Sequence, residues 1–193
     1  MINKKLLPLY LVGLYPIGLI IGTLVSELIT IILSFFLICE IFKKKKIIFL
    51  KDPIIYFLLV IWIYLLINLI IYSVDYSLSL NRSIFFFRYI LIIISISYFF
   101  TKFSANIDIV FKLWAITIII TIIDLYIQFF WGKNLLGFES PWQERLSGFF
   151  NKELKVAHLL IGFFLPTFAY FFQKKTKDLY MYLLLFLYLV ILI

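Results

Sequence analysis

Residues 6–42, LLPLYLVGLYPIGLIIGTLVSELITIILSFFLICEIF, form the apolar run that decides the fold class. As one helix the run would be about 55 Å long, well beyond the roughly 30 Å of a bilayer's hydrocarbon core. It therefore reads as two crossings. Pro16, Gly18 and Gly22 weaken the helix near its middle, which places the crossings at 6–22 and 24–42.

Apolar segments of similar length follow at 53–72, 83–101, 112–131 and 154–172, and a seventh runs from 179 to Ile193. Of the 193 residues, 65% are hydrophobic and 15% charged, where an ordinary globular domain is roughly 45–50% apolar. A soluble fold cannot hide that much apolar surface. Helices satisfy their own backbone hydrogen bonds in lipid, and the runs lack the short alternation of outer-membrane strands. The expectation is an all-α, polytopic membrane protein with about seven transmembrane helices in a single domain, 1–193. The last segment is shorter than the roughly 20 residues of a crossing and has no polar flank, so the chain reads as the front part of something longer.

The net charge of +8 comes mostly from lysines in short loops beside apolar segments. There, basic residues set topology, and nucleic acid is not the expected partner. With the N-terminus inside, one side collects Lys4, Lys5, Lys43 to Lys46, Lys51, Lys102, Lys112, Lys174, Lys175 and Lys177. The other has Arg82, Lys133, Arg145, Lys152 and Lys155, with Arg88 left inside a span. The lysine-rich side is expected to be cytoplasmic and the 132–153 loop to face outward. Cys39 is the single cysteine, so no disulfide or Cys-based metal site is available, and it reads as a small buried apolar residue. No cofactor or metal is expected.

Ionisable groups inside a membrane cost about 2.5–3.5 kcal/mol each on insertion scales, which makes them functional candidates. In this orientation Glu27, Arg88, Asp124, Gln128 and His158 all fall in the outer half of their crossings. Helical spacing puts Thr23, Glu27, Thr30 and Ser34 on one stripe and Thr117, Thr121, Asp124 and Gln128 on another, each facing the bundle interior. Arg88 is a natural partner for Asp124 or Glu27 and for an anionic substrate. The structural alternative is interhelical hydrogen bonding, with Arg88 snorkelling to the interface and His158 packing.

The stretch DLYIQFFWGKNLLGFESPWQERLSGFFNKEL, residues 124–154, resembles the O-antigen ligase and polymerase superfamily. There a D-x-x-x-Q crossing leads through G-x-N-x-x-G to R-x-S-G-x-F. PIGLIIGTLVSELITIILSFFLI and NRSIFFFRYI are similar to the N-terminal half of such proteins. The resemblance implies a GT-C-like N-terminal half and metal-independent glycan transfer at the periplasmic face of the bacterial inner membrane. The donor would be a glycan on undecaprenyl diphosphate, and the acceptor lipid A-core or another glycan. Arg145 matches the motif arginine and Arg88 the arginine of the fourth crossing, so both are implied diphosphate-binding candidates. Asp124, Gln128, Glu27 and Gly148 are polar or backbone support. The family's histidine base lies in a loop of its second half, and His158 does not take that role. Two other readings stand beside this one: a non-catalytic transporter or lipid-binding component, and an inactive fragment.

Overall fold

The structure is a computed structural model that describes residues 6–44, 53–72, 76–140, 145–150 and 155–174. Seven α-helices occur among them: α1 Leu7–Ile21, α2 Thr23–Lys44, α3 Pro53–Tyr72, α4 Tyr76–Phe85, α5 Phe87–Lys102, α6 Asp108–Trp131 and α7 Val156–Gln173. The described residues hold no strand beyond an isolated bridge between Lys133 and Glu139. Among the described residues, five helical spans are long and apolar enough to cross a membrane: Thr23–Lys43, Pro53–Tyr72, Ser83–Lys102, Ser104–Trp131 and Val156–Gln173. Large apolar side chains such as Phe57, Val60, Ile70 and Ile71 lie exposed along α3. Exposed apolar surface of this extent is consistent with a multi-pass membrane protein.

The first apolar run does break at Gly22, which takes a φ of +148° open to glycine but rarely to other residues. The Gly22 and Ser26 N–H groups still bond four residues back, at 3.1 and 3.3 Å, so few backbone groups are left bare at the break. At 15 residues, α1 is about 22 Å long, shorter than the other spans. Pro53 opens α3 at its first position, where a missing N–H costs nothing.

The fourth span, Ser83–Lys102, starts where the sequence placed it, and the fifth starts earlier. The fourth crossing is preceded by α4, which passes into α5 through Phe86, where the Tyr89 N–H meets the Phe86 carbonyl at 3.0 Å in one tightened turn. The fifth begins at Asp108 rather than at 112, because an acidic residue in the first turn complements the helix dipole. The expected seventh segment, 179–193, lies outside the described residues.

By internal contacts the chain divides into two compact units, Met1–Pro8 with Glu27–Ser104, and Leu9–Ser26 with Ala105–Ile193. In the first, α3, α4 and α5 pack together. Trp62 donates its indole N–H to the Ser83 carbonyl at 3.0 Å, and its ring lies 4.9 Å from that of Phe87. Helices α2 and α5 run parallel there, since Glu27 pairs with Arg88 near their starts and Glu40 with Lys102 near their ends.

In the second unit α6 and α7 are antiparallel. Asp108 at the start of α6 accepts from Tyr170 and Lys174 at the end of α7, and the Phe111 and Tyr170 rings stack 4.0 Å apart. Helix α1 joins this unit through a repair of its own backbone. Pro16 cannot donate to the carbonyl four residues back, which is that of Val12. The indole N–H of Trp114 fills the vacancy at 3.0 Å.

Candidate functional site

The end of α6 and the loop after it form the most organised polar region among the described residues. Helix α6 stops at Gly132, whose left-handed φ of +76° lets its N–H cap the Gln128 carbonyl at 2.9 Å. Asn134 then makes the turn. Its Oδ1 accepts the Leu136 and Phe138 N–H groups at 3.0 and 2.8 Å, and Gly137, at φ +83°, closes back on the Asn134 carbonyl at 2.9 Å.

Three buried side chains lash this loop to the next segment. The Oε1 of Gln128 accepts the Ser147 and Gly148 N–H groups at 3.0 and 2.8 Å, and its Nε2 donates to the Ser147 hydroxyl at 3.3 Å. The Nδ2 of Asn134 donates to the Gly148 carbonyl at 2.7 Å. Asp124 accepts the Leu135 N–H at 2.8 Å through Oδ1, while its Oδ2 is buried with no partner among the described residues. A loop with this many unpaired amides needs such partners wherever it leaves water.

Gly148 is the tightest of the glycines in this loop. Its φ is +53°, and a Cβ there would come within 3.1 Å of Leu125 Cδ2 and 3.2 Å of Asp124 Oδ2. The requirement is therefore both conformational and steric.

The outcome is a cavity of about 560 Å³, lined by Gln128, Trp131, Lys133, Glu139, Ser140 and Arg145 among others. Lys133 is paired with Glu139 at 3.1 Å, both exposed. Arg145 is exposed, and its carbonyl accepts the Ser140 hydroxyl, which orients the backbone at the cavity rim. No acceptor for its guanidinium occurs among the described residues, and Glu144 and Glu153 lie outside them. Of the motif residues, Asp124, Gln128, Asn134, Ser147 and Gly148 are engaged in folding the loop, and Arg145 lines the cavity together with Gln128 and Gly132.

Arg88 belongs to the first unit. It pairs with Glu27, donates to the Tyr89 hydroxyl at 3.3 Å and sits 5.1 Å over the Tyr89 ring. Of its two expected acidic partners, Glu27 is the one it meets. The stripe expected to face the interior divides accordingly: Thr30 and Ser34 are buried, whereas Thr23 is exposed and Glu27 remains half-exposed because its carboxylate reaches outward to Arg88. The second stripe, Thr117, Thr121, Asp124 and Gln128, is buried throughout. The Ser34, Ser95, Thr117 and Thr121 hydroxyls donate to carbonyls four residues back, so their donors are satisfied within their own helices.

His158 is exposed at the start of α7, at a smaller cavity of about 350 Å³ that Lys155, Leu159 and Phe163 also line. Cys39 is half-buried rather than buried, since it lines a cavity beside Glu40. Two acidic residues were missed by reasoning from depth. Glu40 binds Lys102 at 2.7 Å and the Tyr98 hydroxyl at 3.1 Å, and Asp108 binds Tyr170 and Lys174. Ionisable groups therefore occupy both ends of the helices and not one end alone. No protein-family model, curated protein or solved structure matches the chain.

Proposed function

We propose that this chain is an O-antigen ligase-like component of the bacterial inner membrane, with its N-terminus cytoplasmic, about seven crossings and the 132–153 loop facing the periplasm. It would take part in moving a glycan from undecaprenyl diphosphate to lipid A-core or to another glycan. The observation that carries the reading is the exposed Arg145 beside Lys133 at the rim of a 560 Å³ cavity, on a loop whose other motif residues hold it in place. Loss of a diphosphate leaving group requires preorganised cations or donors, and a planar guanidinium grips phosphate oxygens in pairs. The walls contributed by Trp131 and Phe129 would suit the apolar part of a lipid-linked donor.

A transport path is the weaker reading. It needs polar groups open to water through the membrane, and the Ser95, Thr117 and Thr121 hydroxyls are already bonded within their helices.

The test is glycan transfer in cells by a version that complements a transfer-deficient strain. Arg145→Ala is expected to lower transfer by about two orders of magnitude, the scale of losing one transition-state donor. Arg145→Lys is expected to restore little of it, because the fork is gone. Normal transfer by the alanine variant would overturn the reading.

A further inference from the structure

The end of the α2–α5 pair opposite Arg88 carries a second cavity, about 440 Å³, within the first unit. Its rim holds Lys43, Lys102 and Glu40, and its walls include Phe35, Phe99 and Cys39. Lys102 stands on Glu40 at 2.7 Å and lies 5.0 Å over the Phe103 ring. Lys43, three residues on from Glu40 and so on the same face of α2, is exposed, and it is drawn to Glu40 by charge without a hydrogen bond or close ion pair among the described residues. The rim therefore has a net positive charge above an apolar, aromatic wall, at the last turn of two helices apolar enough to cross a bilayer.

The geometry points to a binding site for the phosphodiester headgroup of an acidic phospholipid at this rim. Two ammonium groups face one phosphate, with Glu40 bracing Lys102 and Tyr98 bracing Glu40 at 3.1 Å. The acyl chains lie along the phenylalanines, which supply no competing polar group. Basic pockets between membrane helices take acidic headgroups for this reason. The site requires only that α2 and α5 lie in a bilayer, and it stands or falls separately from glycan transfer.

Cys39, the single cysteine, lines the cavity and is a built-in reporter. The purified full chain is reconstituted in phosphatidylcholine vesicles with and without phosphatidylglycerol, and the maleimide labelling rate of Cys39 is measured. Phosphatidylglycerol is expected to slow labelling several-fold. Lys43→Gln, which removes no bond within the described fold, is expected to weaken that protection about five-fold, the contribution of one lysine near an anionic surface. Lys112→Gln, outside the cavity, is expected to leave it intact. Equal rates in both vesicles, protection indifferent to Lys43→Gln, or equal protection by inorganic phosphate in neutral vesicles would each overturn the assignment to a lipid headgroup.

Discussion

Gln128 and Gly148, twenty residues apart, are joined by a 2.8 Å hydrogen bond from the glycine N–H to the glutamine Oε1. The same oxygen takes the Ser147 N–H. Gln128→Leu would strand two buried backbone donors, each costing about 1–3 kcal/mol. Amide exchange at Ser147 and Gly148 should accelerate by at least tenfold, whereas Gln128→Glu, which keeps the acceptor, should change it less. Unchanged exchange in the leucine variant would mean that the loop is held by other contacts.

Gly137 and Gly148 both have positive φ, but only Gly148 lacks space for a Cβ. Gly137→Ala should cost about 1 kcal/mol from backbone strain alone. Gly148→Ala adds contacts at 3.1 and 3.2 Å and should cost distinctly more. Thermal unfolding in detergent ranks the two, and equal losses would remove the steric part of the argument.

Trp114 and Pro16 are coupled through the Val12 carbonyl. Trp114→Phe should destabilise by about 1–3 kcal/mol while Pro16 is present, since the carbonyl is then left bare. Against a Pro16→Ala background the new N–H can serve Val12, and the cost of Trp114→Phe should fall. A double-mutant cycle in detergent unfolding measures the difference. Identical costs in both backgrounds would show that the indole acts through packing alone.

Asp124 uses one carboxylate oxygen for the Leu135 N–H and buries the other unpartnered among the described residues. Asp124→Asn keeps the acceptor and avoids an unpaired buried charge, so Leu135 amide exchange should stay near its original rate. Asp124→Leu should raise it about tenfold. Loss of the loop's order in the asparagine variant would imply that the carboxylate has a cationic partner.

Much of this fold was legible because apolar run length and the spacing of Pro and Gly act locally. The break at Gly22, the start of α3 at Pro53 and the burial of the Thr117–Gln128 stripe all follow from patterns within a few turns of chain. The wiring of the loop was not legible. Gln128, Asn134 and Gly148 stood out as a motif, but what each bonds depends on a return of the chain many residues later. Glu40 and Asp108 escaped notice for the same reason: their partners, Lys102 and Lys174, read as topology markers, and only the approach of neighbouring helices turns them into ion pairs.

The bond between Trp114 and Val12 also has a place in time. Val12 leaves the ribosome 102 residues before Trp114, which at 5–20 residues per second is about 5–20 s. Throughout that interval the finished helix pairing does not exist, and the first helix carries an unmade backbone bond into an apolar solvent. Synthesis thus delivers this helix well before its partner. Insertion of this unit becomes a matter of waiting as well as of hydrophobicity.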